Sequence, residues 1–170
     1  MQAAQLKTQK KKLIESLGVY FEQEKLIAPL AARIIATLIV NGSQGTTFEQ
    51  LVTDLEASKS TVCTHLNALE AQQRISYFTK CGDRKRYYAM APGYISRKIN
   101  TTLSMWHKEK ELQKQLLSYK QDYNKSNSEN SLPTTIHENV IDFLTQSISF
   151  FEEMAVKFQT KEQQHNLEIL

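Results

Sequence analysis

The stretch 30–40 carries one charged side chain, Arg33, and is otherwise apolar on nearly every face of a helix. A helix of this kind has to be surrounded by other elements, because none of its faces suits water. Pro29 fits the first turn of the helix, and Asn41 with Gly42 fits its C-terminal end. The sequence therefore predicts a buried central helix with the neighbouring segments packed around it.

The next segments predict two shorter helices joined by a tight turn. Thr46 and Thr47 are N-cap candidates for the first helix, over 47–56, because an acidic or amide side chain follows each at capping-box spacing. Ser58 is the N-cap candidate for the second helix, over 59–73. The apolar positions of that helix recur every three or four residues, which leaves its polar side chains on an outer face.

The chain then changes from helix-forming to strand-forming sequence. Residues 75–80 and 86–90 are rich in β-formers, and the turn residues 81–85 between them are basic. A helix, a short helix, a tight turn, a helix and a hairpin follow one another in a winged helix-turn-helix. In that fold the second helix of the turn lies in the major groove of DNA, and the hairpin contacts the neighbouring minor groove or backbone.

Helices are also predicted on both sides of this unit. An amphipathic helix covers 7–24, a long helix covers 94–122, an Asn- and Ser-rich linker lies near 124–133, and a last helix frays after Lys161. The fold class is therefore mainly α with a small β-hairpin wing and with dimerisation helices at both ends. The predicted domains are an N-terminal helix, a winged helix-turn-helix and a C-terminal helical region with the linker, at 1–27, 28–92 and 93–170.

The last segment carries two interleaved apolar rows at heptad-like spacing, which a lone helix cannot bury. A second copy of the chain is the simplest partner, because a two-fold dimer matches palindromic half-sites about 34 Å apart. A coiled coil with a different protein is the alternative. The residues predicted to form the dimer interface are Leu13, Leu17, Ile136, Val140, Phe143, Leu144, Ile148, Phe151 and Phe158.

Positive charge is concentrated in the same part of the chain as the predicted turn and wing. Residues 58–98 contain eight Lys or Arg and two Asp or Glu, whereas the whole chain has a net charge of +3. A local basic block is typical of a protein that binds the phosphate backbone of nucleic acid. A solvated charged face is the alternative, and the block alone does not decide between the two.

Other classes of protein find little support in the sequence. No apolar run approaches the ~18 residues of a membrane span, and no apolar leader follows the first residues. Two cysteines are too few for a disulfide framework, so a cytoplasmic protein is expected. The sequence holds no phosphate-binding loop, paired-carboxylate signature, metal cluster or nucleophile motif, and we therefore predict no enzyme activity, cofactor or metal.

Three segments resemble a known family. Residues 57–70, Ala-Ser-Lys-Ser-Thr-Val-Cys-Thr-His-Leu-Asn-Ala-Leu-Glu, resemble the recognition-helix region of MarR-type bacterial regulators. Residues 82–88, Gly-Asp-Arg-Lys-Arg-Tyr-Tyr, resemble the wing of the GbsR-like branch of that family, and residues 17–21 with 29–34 fit the same branch. The resemblance covers roughly residues 10–92. It implies a homodimer that binds operator DNA and controls transcription, with a small-molecule effector as a further expectation.

The residues expected to contact DNA lie on the outer face of the second turn helix and on the wing. Arg84 is expected to matter most, because a narrow minor groove attracts this type of side chain. Asp83 either orients Arg84 or has a role in the turn alone. For His65, a packing role is a full alternative to a phosphate contact. The predicted DNA-binding residues are Ser58, Lys59, Ser60, Thr61, Thr64, His65, Asn67, Lys80, Arg84, Lys85 and Arg86.

Several other residues have both a functional and a structural interpretation. Cys63 and Cys81 suit a redox switch, which some MarR-type proteins use, but neither has an evident reason for a lowered thiol pKa. His107 is four residues from Glu111 without a third metal ligand. The resemblance to the GbsR-like branch implies a quaternary ammonium effector, and aromatic side chains near the dimerisation helices suit a pocket for such a group. A place in the dimer core is the preferred interpretation of these side chains. The pocket candidates are Tyr20, Phe21, Trp106 and Tyr119.

A binding module without specific DNA recognition is the principal alternative function. Winged helices also serve in protein–protein interaction, and the basic block argues against that use only in part. A regulator and an interaction module differ in one property, which is sequence-specific binding to duplex DNA.

Overall fold

A computed structural model of the chain describes residues 2–25 and 27–168. The chain divides into two compact units, Met1–Tyr94 and Ile95–Leu170, and each is described by itself. The first unit contains helices and a small antiparallel sheet, and the second is helical. The predicted fold class, mainly α with a small β wing, is confirmed.

Five helical or strand segments of the first unit were predicted close to their observed bounds, and the N-terminal helix is longer than expected. The elements are α1 (Gln2–Lys25), α2 (Pro29–Asn41), β1 (Thr46–Thr47), α3 (Phe48–Asp54), α4 (Lys59–Ala71), β2 (Ile75–Thr79) and β3 (Arg86–Met90). Helices α2, α3 and α4 followed by the β2–β3 hairpin form a winged helix-turn-helix.

The core of the first unit forms around α2, as its apolar sequence predicts. Ile34 and Leu38 of α2 are fully buried together with Leu51 of α3 and Leu66 of α4. Burying a side chain of this size contributes roughly 1.5–3 kcal/mol to the stability of the fold. The polar Thr37 is accommodated because its hydroxyl donates a hydrogen bond to the Arg33 carbonyl at 2.8 Å.

Both predicted N-caps of the turn helices are present. At α3, the Gln50 N–H donates to Thr47 Oγ1 at 3.2 Å, and the Thr47 N–H donates to Gln50 Oε1 at 2.9 Å. This reciprocal pair is a capping box. At α4, the Thr61 N–H donates to Ser58 Oγ at 3.1 Å. The caps fix where each helix begins and therefore define the turn between them.

The sheet has one strand more than the sequence predicts. Its order is β1-β3-β2, and all pairs are antiparallel. Thr46 pairs with Tyr88 and Thr47 with Tyr87, so Thr47 belongs to a strand and also caps α3. A strand of two residues is too short to give a periodic signal, and the capping pattern accounts for both threonines without it.

Helix α1 packs against α2 within the first unit. Gly18 allows the close approach, because a Cβ at this position would lie 2.8 Å from Arg33 Cγ. Arg33 joins the two helices: its Nε donates to Glu15 Oε2 at 2.9 Å, and its Nη1 donates to Glu22 Oε2 at 3.3 Å. The bond between Arg33 and Glu15 lowers the pKa of the Glu15 carboxyl, because the guanidinium hydrogen-bonds to its ionised form. Arg33, the one charged residue of α2, therefore has a structural role, because it pairs with Glu15 and Glu22 of α1.

The second unit is an antiparallel pair of helices, α5 (Tyr94–Ser126) and α6 (Thr135–Glu168). The Trp106 and Phe151 rings meet edge to face with their centroids 4.8 Å apart. Gln113 Oε1 and His137 Nδ1 are 2.7 Å apart. Among the residues whose burial is described, the buried apolar ones are Leu103, Leu144, Ile148 and Ala155.

The bounds of the second unit differ from the predicted ones at two places. Helix α5 continues to Ser126 rather than 122, and α6 continues to Glu168 instead of fraying after Lys161. The linker between the helices is held at its start, where Asn124 Oδ1 accepts from the Leu132 N–H at 2.7 Å and Asn124 Nδ2 donates to the Leu132 carbonyl at 2.9 Å. Composition alone gives no signal for such a bridge.

Gly45, which precedes β1, lets the backbone pass close to Tyr87 of the wing strand β3. Gly42 and Gly45 both have positive φ, at 61° and 70°, with extended ψ, a region that is essentially reserved for glycine. A Cβ on Gly45 would also lie 2.9 Å from Tyr87 Cβ, whereas a Cβ on Gly42 meets nothing within 4 Å. We expect Gly45→Ala to lower the free energy of unfolding in urea by about 1–3 kcal/mol more than the control Gly42→Ala. Equal losses would show that the contact with Tyr87 is relieved easily.

Candidate nucleic-acid interface

Helix α4 presents a continuous polar face to solvent. Its buried positions are Val62, Leu66 and Leu69. Between them the exposed side chains follow the turns of the helix, and His65 is half-buried at the edge of the face. The exposed residues among those predicted to bind DNA are Ser58, Lys59, Ser60, Thr61, Thr64 and Asn67.

The hydroxyl groups at the start of α4 are already ordered by one another. Ser58 Oγ lies 2.7 Å from Thr61 Oγ1 and 3.0 Å from Ser60 Oγ. Thr64 Oγ1 donates to the Ser60 carbonyl at 3.0 Å. Each hydroxyl has one donor and two acceptor sites, so these bonds leave capacity for a further partner. This end of the helix therefore offers fixed, exposed polar atoms instead of freely rotating ones.

The basic side chains of the wing fall into two classes. Lys80 and Arg86 rest on aromatic rings: Lys80 Nζ is 4.0 Å from the Tyr87 ring centroid, and Arg86 Cζ is 4.4 Å from that of Tyr77. Arg84 and Lys85 lie exposed at the tip. Cation–π contacts hold Lys80 and Arg86 in place, whereas the side chains of Arg84 and Lys85 can adjust to a ligand. The sequence pattern identified all four basic residues but gave no indication that tyrosines hold two of them.

Asp83 does not bind Arg84 in the described part of the chain. Its carboxylate accepts a hydrogen bond from the Lys85 N–H at 2.9 Å and another from the Tyr87 hydroxyl at 2.7 Å. These bonds, that of Tyr87 first, lower the pKa of the Asp83 carboxyl, and the same carboxylate raises the pKa of Tyr87. Of the two interpretations of Asp83, the role in the turn agrees with the structure.

One member of the basic block is only partly available at the surface. Arg74, between α4 and β2, is half-buried, and its Nη1 is buried without a hydrogen-bond partner in the described structure. The charge count of residues 58–98 therefore overstates the charge that the surface of the first unit offers to a ligand. Between residues 58 and 94, the exposed cations are Lys59 and the wing residues Lys80, Arg84, Lys85 and Arg86.

The candidate metal residues have separate partners in the structure, and the two cysteines lie at the surface. His107 Nε2 lies 3.3 Å from Glu152 Oε1, and Glu111 binds Lys114 at 2.8 Å, so the two residues do not share a site. Among the described residues no group of three His, Cys, Asp or Glu is placed to hold a metal ion. Cys63, on the outer face of α4, and Cys81, in the wing turn, are both free and exposed.

The aromatic residues predicted for an effector pocket are divided between the two units. In the first unit the ring centroids of Tyr20 and Phe21 are 5.4 Å apart. In the second, Trp106 packs against Phe151, and Tyr119 lies exposed on α5 with its ring centroid 6.4 Å from that of Tyr123. Trp106 therefore packs against α6 of its own chain.

A cavity of about 380 Å³ opens in the first unit between α1, α2 and the end of α3. Charged side chains of both signs dominate its lining, and none of its lining residues is aromatic. It therefore does not offer the aromatic faces that a quaternary ammonium group prefers. None of the helices in the described part of the chain combines the length and the apolarity that crossing a bilayer requires.

Comparison with known proteins gives structural likeness without a sequence family. No family model and no curated protein matches the chain. Among solved structures, the crystal structure of a transcriptional regulator is 19% identical, has a TM-score of 0.54, and aligns over 89% of this chain and 99% of that chain. A glycine-to-lysine mutant of S. aureus MepR is 17% identical, has a TM-score of 0.39, and aligns over 87% of this chain and 94% of that one. The first likeness shows that the chain shares the fold of a transcriptional regulator.

Proposed function

We propose that the chain is a DNA-binding transcriptional regulator of the MarR type that acts as a homodimer in the cytoplasm. The observation that carries the proposal is the joint presence of an exposed polar face on α4 and a basic wing in one winged helix-turn-helix unit. The fold shared with a transcriptional regulator supports it. The chemistry is recognition, and no catalytic step is involved.

The two halves of the interface have different tasks in this proposal. Helix α4 enters the major groove, where Thr61, Thr64 and Asn67 hydrogen-bond to base edges. Lys59 and the wing residues Arg84 and Lys85 neutralise phosphates, and Arg84 reaches the minor groove. The phosphate contacts set the affinity and position of the protein, and the base contacts select the sequence.

A second copy of the chain is the proposed partner of the α5–α6 helical pair, called here the helical hairpin. The buried row of α6 includes Leu144 and Ile148, which its own chain covers, so these two predicted interface residues belong to the core of the hairpin. A second row, displaced by one position, remains exposed and repeats every seven residues: Ile136, Phe143 and Phe150. A heptad row of this kind is the pattern that a helical partner buries.

Helix α5 carries a matching exposed row at Met105, Leu112 and Tyr119, again one position before its buried or half-buried residues. Because α5 and α6 are antiparallel, positions that precede the buried ones on each helix project to the same side of the pair. The two rows thus form one apolar face, and a two-fold dimer covers such a face on both copies at once. Contiguous exposed apolar surface of this kind is uncommon on monomers.

The effector is the part of the proposal that rests on the resemblance to the GbsR-like branch. A small molecule changes DNA affinity only if it binds one spacing of the two recognition helices better than another. We therefore expect an effector to act through the helices that flank the winged helix-turn-helix in the sequence. A molecule that changes the DNA affinity of the protein should also raise its melting temperature.

We predict that Arg84→Ala weakens binding to all duplexes and lowers the slope of log K against log salt by about one, because one phosphate contact is lost.

Thr61→Ala and Asn67→Ala should reduce discrimination between operator and mismatched duplexes by about 1–3 kcal/mol each, with less effect on non-specific binding. Fluorescence anisotropy across a salt series measures both effects. Lys125→Ala, which removes an exposed charge paired with Asp122 in the second unit, is the control and should leave the slope unchanged.

We also predict that Phe143→Glu dissociates the dimer, because the side chain is 63% exposed on the apolar face and a carboxylate there would be buried between copies. Sedimentation equilibrium measures the change in association. Thr145→Glu places the same charge on an exposed position of α6 on the side of the helix opposite Phe143 and should leave association unchanged. Equal association of wild type and Phe143→Glu would contradict this surface as the interface.

A further inference from the structure

We propose that Tyr87 is a positioning residue for DNA binding, because its hydroxyl holds the Asp83 carboxylate and thereby fixes the turn from which Arg84 and Lys85 project. The group formed by the Asp83 carboxylate, the Lys85 N–H and the Tyr87 hydroxyl is called here the wing clasp. The inference rests on the proposed function and names the residue that prepares the wing for DNA.

The wing clasp closes a turn that is already restrained at its start. The Asp83 N–H donates to the Lys80 carbonyl at 3.0 Å, and Gly82 between them has a φ of 77°. The two carboxylate oxygens of Asp83 then take different donors, Oδ1 from Lys85 and Oδ2 from Tyr87. Asp83 is therefore tied to the strand β2 end of the turn by its backbone and to the β3 end by its side chain.

Tyr87 is itself held by its surroundings, so it can act as an anchor. Its ring stacks on Phe78 across the β2–β3 pair, with centroids 5.8 Å apart and an interplanar angle of 24°. Lys80 Nζ lies 4.0 Å from the centroid of the same ring. On the backbone side, Gly45 leaves the space that Tyr87 needs, since a Cβ there would be 2.9 Å from Tyr87 Cβ.

The consequence for DNA binding concerns Arg84. It lies between two residues of the wing clasp, is exposed, and forms no hydrogen bond or ion pair within the described residues. Its backbone is thus ordered while its guanidinium keeps its full capacity for a phosphate or a minor-groove acceptor. A segment that is ordered before binding loses less conformational entropy when the complex forms. An Asp83–Arg84 ion pair, by contrast, would have to break first.

Tyr87→Phe tests the inference, because it removes the hydroxyl and keeps the stacked ring. Tyr77→Phe is the matched control: it removes a hydroxyl from the same sheet that makes no hydrogen bond within the described structure, and it keeps the ring under Arg86. We expect Tyr87→Phe to weaken operator binding about three- to tenfold, which is the usual worth of one such bond, and Tyr77→Phe to bind like wild type.

A double-mutant cycle separates positioning from a general loss of stability. If the wing clasp positions Arg84, then Arg84→Ala costs less affinity in the Tyr87→Phe background than in wild type, because the misplaced side chain contributes less there. The carboxyl resonance of Asp83 should titrate at higher pH in Tyr87→Phe than in wild type, since the hydroxyl no longer favours the ionised form. This titration shows that the bond was present and has been removed.

Each outcome decides one of the two proposals. A wild-type protein that binds no duplex overturns the proposed function and this inference with it. Wild-type binding that Tyr87→Phe leaves unchanged overturns the inference alone, as do losses from Tyr87→Phe and Arg84→Ala that simply add. A selective loss in Tyr87→Phe that is not additive with Arg84→Ala supports both.

Discussion

The burial of most of α2, including residues 34–38 without a break, is the constraint from which the arrangement of the first unit follows. Ile34 and Leu38 are shielded from water because α1, α4 and the sheet pack against this helix, with Leu51 of α3 in the same core. The apolar residues of α4 are buried in this core, and its polar side chains therefore face solvent. The candidate interface is thus the solvent-facing side of α4, and the opposite side of α4 packs in the core.

Much of this arrangement is predictable from the sequence because the signals are local. The capping box at Thr47, the cap at Ser58 and the apolar spacing of α4 depend on residues a few positions apart, and the structure confirms them. The strand β1 was missed because its two residues pair with β3, about 40 positions away along the chain. The bridge from Asn124 to Leu132 was missed for a related reason, since side-chain hydrogen bonds across a linker leave no periodic trace.

The sequence predicted which residues make up the candidate site better than it predicted what those residues contact. Every exposed polar residue of α4 and all the basic wing residues follow from the charge and motif pattern. The sequence could not show that aromatic rings hold Lys80 and Arg86, nor that Asp83 binds Tyr87 instead of Arg84. These relations depend on the register of β2 against β3. They also divide the basic residues of the wing into two that rest on aromatic rings, Lys80 and Arg86, and two that lie exposed at the tip, Arg84 and Lys85.

Sequence-specific binding to duplex DNA is the claim on which the account depends, and fluorescence anisotropy tests it most directly. The purified protein is titrated, across a salt series, into a labelled duplex from the region upstream of its own gene and into a shuffled duplex of equal length. The account predicts saturable binding to the first duplex that persists at salt concentrations at which the second is released. Absence of binding to either duplex at low salt would contradict it and would favour a winged-helix module that binds proteins.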